Sequence, residues 1–456
     1  MPPSLFEPAE LDRLLEEALE HLRTYLRFDT TNPPGRESRA ARHFLELLRD
    51  EGVDAQLLEA ADERGSLVAR LPGKRRGTGP VVLLHHADVV AANPAEWSED
   101  PFGAVIRDGY LYGRGALDMK STGIVHLMSF LWLHRRRVPL RRDLVLLLVA
   151  DEETGGRLGT CRLLETLPWL ETASLVLDEG GFILPGVARD GGDLYCVSVA
   201  EKTPLQLLLH AHGAAGHGSV PFPDTVTERV ASAVNRILGR AAVPRIHPVV
   251  RAYFDGLAPV ESSPGAAPVL RIDETVGDGR IPPQVLLDPV HRALVNDTVV
   301  CTLLRAGDKI NVVPSAATAG LDCRLLPDTI PEAFLDELRR LLEDLDVRVE
   351  PLGQEIDSGV SPIVGGFMDA VAECVREGAH SGTVVPYLMT GAADGRYFRR
   401  RGVPTYGFSP FRLPRGEQVR VHGVDERISL ANLAFGLTFF TRVLHKLVAD
   451  EPDREE

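Results

Sequence analysis

Five places in the 456-residue sequence put histidine, aspartate or glutamate where such side chains do chemistry. The first is His86 with Asp88, closing the apolar run VVLLHHAD. On a strand the two-residue period puts both on one side, and Asp88 is placed to accept the ring N–H of His86 and fix its tautomer, as carboxylates behind metal-bound histidines do. His85 faces the other way and reads as structural. The second is Asp118 in GRGALDMKS, where glycines permit a sharp turn and an aspartate opens a long helix. Capping that helix is compatible with ligation, because a carboxylate has two oxygens and can bridge two cations. The third is Glu152 beside Glu153, at the end of DLVLLLVADEE. Two adjacent glutamates there are costly to ionise unless cations sit beside them. One then ligates while its neighbour takes a proton from water, a general base beside a Lewis acid.

The fourth is Glu179 in DEGG and the fifth is His422 in VHGVDE. Each of these has a plainer reading alone: a capping aspartate, a solvated acidic loop, a surface histidine. Together His86, Asp118, Glu153, Glu179 and His422 are two imidazoles and three carboxylates, a mixed N/O set suited to two zinc ions and acceptable to cobalt or manganese. With Asp118 as a bridge, each ion receives one imidazole and one terminal carboxylate, leaving room for water or substrate.

The elements that must position these groups follow from the same runs. Three β-rich stretches end in His, Asp or Glu and alternate with helical segments such as residues 119–134, which predicts an α/β fold with a mainly parallel sheet. Ligands of such sheets bind beyond the carboxyl ends of the strands. Two amphipathic helices, 11–26 and 38–48, precede the sheet. From residue 204 the pattern becomes strand, helix 225–238, strands 298–304, 309–314 and 318–325, helix 331–342 and strand 346–351, which resembles a ferredoxin-like α+β sandwich. A helix at 366–376, strands at 384–389 and 403–408 and a helix at 430–447 then return to the first domain. The expected division is catalytic domain 1–200, inserted lid 201–353 and catalytic domain 354–456. Residues 241–297, rich in Pro, Gly and Asp and without clear periodicity, either enlarge the lid or cover the site.

Composition narrows the classes. The length calls for at least two domains. A net charge of -15 argues against nucleic acid as a partner. Five scattered cysteines suit reduced thiols in a cytoplasmic protein. The longest apolar run, 144–150, is too short for a bilayer, and neither export nor a membrane anchor is expected. No H-E-x-x-H stretch is present, which argues against a mononuclear metalloprotease.

The ordered set H-x-D, G-R-G-x-x-D-M-K, E-E-x-x-G, D-E-G and H-G-x-x-E, with an inserted domain, resembles the dinuclear zinc family of aminoacylase, acetylornithine deacetylase, succinyl-diaminopimelate desuccinylase and carboxypeptidase G, metallopeptidase family twenty. The resemblance covers nearly the whole chain. It implies a zinc-exopeptidase-like catalytic domain in which His86 and Glu179 hold one zinc, Glu153 and His422 the other, Asp118 bridges them and Glu152 is the general acid/base. It also implies a cis peptide after Asp118.

In the lid, GAAGHGSVP resembles the family stretch whose histidine, here His217, steadies the oxyanion, and NVVP makes Asn311 a substrate contact. Arg324 in DCR either serves the lid or pairs with a neighbour. In TGAADGRYF, Arg396 is either a clamp for the substrate carboxylate or a salt-bridge partner of Asp394. Departures from the family pattern (Ala91 after Val90, Ser121, Ala393) remove no ligand. The expected activity is metal-dependent hydrolysis of an amide bond in a small carboxylate-bearing substrate, an N-acyl amino acid or short peptide. Rival readings are a dinuclear aminopeptidase or dipeptidase and a non-catalytic binding protein on the same scaffold. The resemblance implies that compact members dimerise through the lid and supply its histidine to the partner's site; an enlarged lid here leaves the assembly open, with a homodimer through the lid as one outcome.

Overall fold

The structure, a computed structural model, describes residues 5–75, 77–220, 222–257, 281, 286–353, 358–378 and 381–450. Its main sheet runs in the order Asp54–Ala61, Arg64–Leu71, Leu144–Val149, Val81–His86, Leu175–Asp178, Thr405–Gly407, Asp193–Glu201, Gly382–Met389. Val81–His86 pairs in parallel with both its neighbours, and the pairs Leu175–Asp178 with Thr405–Gly407 and Asp193–Glu201 with Gly382–Met389 are parallel too. The leading hairpin and its junction with Leu144–Val149 are antiparallel. Every residue of Val81–His86, Leu144–Val149 and Leu175–Asp178 is buried, which is why these strands read as unbroken apolar runs. Their carboxyl ends share one rim, and that rim carries His86, Glu152, Glu153 and Glu179.

Helix Lys120–Arg135 is buried on every face from Lys120 to Leu133 and packs against Pro8–Arg27, Leu430–Val448 and the sheet. A helix apolar all round has to be central, and this one fixes the loop that precedes it, the Asp118 loop.

A second, antiparallel sheet has the order Thr298–Ala306, Ala316–Leu325, Thr203–His212, Arg348–Leu352. Alternate residues of Thr203–His212 face helices Val226–Leu238 and Pro331–Leu341, and Leu205, Leu207, Val230, Phe334 and Leu338 form a core separate from the first. Thr225 and Glu228 close a reciprocal capping box at the start of Val226–Leu238.

Several elements depart from the sequence reading. The hairpin Asp54–Ala61 with Arg64–Leu71 and the strand Asp193–Glu201 were not foreseen. The strand expected at 309–314 shrinks to Val312–Val313, paired with Gly216–His217. The described parts of residues 241–297 do not enlarge the lid: helix Pro248–Gly256 packs on strand Gly382–Met389, and Val249, Val250, Tyr253, Phe254, Leu294 and Val295 join the main core. The buried Lys202 ammonium holds the return of that segment through the carbonyls of Ala293 (3.1 Å) and Asn296 (2.8 Å) and the hydroxyl of Thr298 (3.0 Å). Among the described residues no helix is long and apolar enough to cross a membrane.

Candidate metal centre and active site

At the end of Val81–His86 the chain turns so that His86 Nδ1 lies 2.9 Å from the backbone oxygen of Asp88, while the Asp88 carboxylate is 3.6 Å away. A carbonyl only accepts, so Nδ1 carries the proton and Nε2 is left with a free lone pair facing Asp118. The tautomer is therefore set by the Asp88 main chain and not by its side chain, a correction to the sequence reading. The carboxylate accepts instead from the amides of Glu152 (3.1 Å) and Glu153 (3.0 Å) and from Asn32 Nδ2 (2.8 Å). Asp88 thus holds the glutamate turn in place.

That turn begins at Asp151, in the left-handed region at φ 74, and ends in Gly155 and Gly156 at φ 106 and 69. A Cβ on Gly156 would lie 2.0 Å from Asp394 Oδ1, so glycine is required there.

Asp118 does not cap the helix: the first capping position belongs to Met119, and the Asp118–Met119 peptide is cis, as the resemblance implies. The two Asp118 oxygens diverge. Oδ1 lies 3.0 Å from His86 Nε2 and Oδ2 lies 3.0 Å from His422 Nε2. Glu179 Oε1 flanks the first imidazole at 3.6 Å and Glu153 Oε2 the second at 3.4 Å. His422 sits at φ 58, a conformation that a non-glycine residue adopts at a cost, in a turn that aims its ring at Asp118.

Glu426 locks these two loops together and was not recognised in the sequence beyond its place in VHGVDE. Fully buried, its carboxylate accepts from the amides of Gly115 (2.9 Å), Leu117 (2.7 Å) and Asp118 (3.0 Å) and from Arg114 Nη1 (2.7 Å). Arg114 in turn donates to the carbonyls of Gly423 (3.0 Å) and His422 (3.3 Å).

The electrostatics of the cluster are those of an anionic site. Burial opposes charge on His86, but Glu179, Asp118 and Asp88 outweigh it and carry its pKa well above the usual imidazole range. Hydrogen bonding to Asp118 and Glu153 lifts His422 to about 10. Burial, with neighbouring carboxylates, pushes Glu152 and Glu179 well above ordinary glutamates. Burial also raises Asp178, beside Asp394, to about 7.

The residues fit divalent cations. Glu153 Oε1 is buried with no hydrogen-bond partner, and ligand atoms of His86, Asp118 and Glu153, and of His86, Glu152 and Glu179, lie within 4.8 Å of one another. Several carboxylates packed this closely lack positive charge, which two cations would supply.

The cluster opens on a cavity of about 1310 Å³ whose walls include Asp118, Glu152, Glu153, Glu179, Arg396 and His422. Arg324 and Gln206 of the second sheet also line it. Arg396 donates to the carbonyls of Ala393 (2.8 Å) and Gly155 (3.2 Å) and lies 3.8 Å from Glu152. Asp394 accepts from Thr160 Oγ1 at 2.8 Å, and Arg324 pairs with Asp322 at 3.1 Å.

His217 and Asn311 are brought together, but away from the cluster. Both are exposed on the small hairpin where Gly218 N donates to Asn311 O (2.9 Å), and neither lines the cavity. The Ser219 amide donates to His217 Nδ1 at 3.1 Å, which leaves Nε2 as the protonated nitrogen.

Comparison with known proteins gives three findings. Residues 82–446 match Peptidase family M20/M25/M40. Among relatives, the chain is 30% identical over 386 residues to N-fatty-acyl-amino acid synthase/hydrolase PM20D1 of Xenopus tropicalis, covering 84% of this chain and 75% of that one. It is 28% identical over 435 residues to human Aminoacylase-1, covering 94% of each. Among solved structures, the M20 family metallo-carboxypeptidase Sso-CP2 from Sulfolobus solfataricus superposes with TM-score 0.69 at 19% identity, covering 94% of this chain and 99% of that one, a likeness of fold.

Proposed function

Because the chain belongs to peptidase family M20/M25/M40, we propose that it hydrolyses N-acyl amino acids, with short peptides as the neighbouring substrate class, at a pair of zinc ions. That it is an amide-bond hydrolase follows from the family and its relatives. The observation that carries the finer reading is the divergence of the Asp118 oxygens, each 3.0 Å from a different imidazole and each imidazole flanked by one further carboxylate. His86, Glu179 and one Asp118 oxygen would hold one ion; His422, Glu153 and the other oxygen would hold the second. When bound, the ions supply Lewis acidity that acidifies water and polarises the amide carbonyl.

The rest is done by the chain's own residues. Glu152, on the turn fixed by Asp88, faces the cavity without being needed as a ligand. It takes a proton as the water oxygen attacks the carbonyl carbon, and returns it to the nitrogen as the C–N bond breaks; the second water proton follows from the new carboxyl group, giving a carboxylate and an ammonium. Arg396, on the cavity wall 3.8 Å from Glu152, is placed to meet a substrate carboxylate. His217 presents Nε2–H as an oxyanion donor, and its distance from the cluster within one chain supports a lid that closes or a lid supplied by a second subunit. On this reading the lid also makes the homodimer. All five cysteines are free, which agrees with a reducing cytoplasm.

A panel of N-acetyl amino acids and dipeptides, assayed with the zinc-loaded chain, tests the substrate class. Turnover of the N-acyl amino acids above the dipeptides supports the proposal. Turnover of dipeptides alone would replace it with the dipeptidase reading, and no turnover of either would leave the binding-protein reading in front.

A further inference from the structure

Strand Arg64–Leu71 carries no candidate catalytic residue, but its register leads to the glutamate turn. It pairs antiparallel with Leu144–Val149, from Leu71 opposite Leu144 to Leu67 opposite Leu148, and the Ser66 hydroxyl accepts from the Ala150 amide at 3.2 Å. Continued past that point, the same register sets Arg64 against Asp151, the left-handed residue that opens the turn bearing Glu152 and Glu153. There the guanidinium bridges two carboxylates. Its Nε donates to Glu37 Oε2 (2.8 Å), and its Nη2 donates to Glu37 Oε1 (3.0 Å) and to Asp151 Oδ1 (2.7 Å). Glu37 Oε1 also accepts from the Asp151 amide (3.2 Å), so Asp151 is gripped by both its main chain and its side chain. The other Asp151 oxygen accepts from the Leu158 amide (2.9 Å), beyond the turn. The three side chains are 12%, 0% and 7% exposed for Arg64, Glu37 and Asp151, so water does little to screen these charge-assisted bonds. Gly35, at φ 98, makes room for them: a Cβ there would lie 2.4 Å from Arg64 Nε.

We infer that Arg64 is a positioning residue for the hydrolysis: by clamping Asp151 to Glu37 it fixes the main-chain rotation from which Glu152 and Glu153 project. An Asp151 held at φ 74 is in a conformation that a non-glycine residue keeps only when its surroundings enforce it. Rotation there would swing the proton-transfer carboxylate and its neighbour together. Asp88 grips the amides of Glu152 and Glu153 themselves, whereas Arg64 secures the residue before them. Arg64 does not line the cavity, so its effect passes through the turn. The inference rests on the amide-hydrolase reading above and makes the edge hairpin part of the machinery.

Two substitutions in the full chain test it. Arg64→Lys keeps the charge but replaces the planar fork by one nitrogen, which does not span the two carboxylates in the same way. Gly35→Ala leaves Arg64 intact and crowds its guanidinium instead. Steady-state rates at saturating zinc are read beside hydrogen exchange, followed by mass spectrometry with and without zinc. In both variants kcat should fall about 10- to 100-fold with KM close to wild type. Exchange over residues 151–158 should quicken about tenfold or more, while strand Leu144–Val149 keeps its protection. Unchanged exchange at 151–158 overturns the inference whatever the rate does, and so does a kcat within about twofold of wild type. Exchange that quickens equally along Leu144–Val149, or two variants that do not fold, would make Arg64 a residue of general stability and overturn it as well. If the wild type cleaves no amide, quickened exchange confined to 151–158 upholds the clamp on the turn, and the hydrolase reading is what has failed.

Discussion

Glu426→Gln keeps the shape of a side chain that touches no substrate and yet ties together the two loops bearing Asp118 and His422. The glutamate oxygens divide four donors between them: one faces the amides of Leu117 and Asp118, the other the amide of Gly115 and Arg114 Nη1. Glutamine has one oxygen and one NH2, so in either orientation two donors face a donor. Two bonds to a charged acceptor, at about 1.5–3 kcal/mol each, are lost. Arg114 keeps its carbonyls at Gly423 and His422 but loses its counter-charge in a buried place, a change that typically costs about 3–5 kcal/mol. We take about 3–5 kcal/mol as the loss in stability. With about 2.1 cal/mol/K per residue and roughly 300 residues unfolding together, that is a fall in melting midpoint of about 5–8 °C.

The same change lets the Asp118 and His422 loops drift apart, so zinc affinity should fall about 10- to 100-fold. Differential scanning calorimetry and competitive chelation read the two effects on one preparation. A midpoint within 1 °C of wild type with zinc affinity unchanged would refute the claim that Glu426 locks the site.

Two further outcomes follow from residues outside the ligand set. Asp88→Asn puts an NH2 against a backbone donor on the glutamate turn, and kcat should drop about 10- to 100-fold with zinc retained; parallel loss of zinc would place Asp88 in metal holding instead. On the surface, bonds from Arg135, with help from His21, hold Glu17 at about 2. A depressed carboxylate stabilises the fold fully above its unfolded pKa near 4.5 and loses that contribution as pH falls toward 2. Arg135→Gln should therefore flatten the slope of stability against pH between about 4.5 and 2 in urea titrations, and an unchanged slope would show the pair to be inert.

The five ligand candidates were legible because each closes an apolar run or a glycine turn, and a strand end is a place that local sequence marks. The strand Asp193–Glu201 was not, although it is buried throughout, because it carries Asp193 and Glu201 at its ends. Their partners, Arg412 and Arg399, lie 219 and 198 residues away, so nothing nearby announces that these charges are neutralised. Glu426 was missed for the same reason, since the amides it holds are more than 300 residues earlier. The His86 tautomer went wrong at a finer scale: period two placed the Asp88 side chain on the correct side, but the turn of the main chain brought the carbonyl closer. Helix Pro248–Gly256 was hidden by a short length and by a first-turn proline that reads as loop.

The central claim is a pair of cations bridged by Asp118 with Glu152 free to move a proton. Elemental analysis of the purified wild type and of Glu152→Ala, each with its rate on the best N-acyl amino acid, tests it most directly. The account predicts two equivalents of zinc per chain in both proteins and a rate that falls about 10²- to 10⁴-fold in the variant. Metal at background in the wild type, or a Glu152→Ala enzyme that keeps its rate, would contradict it.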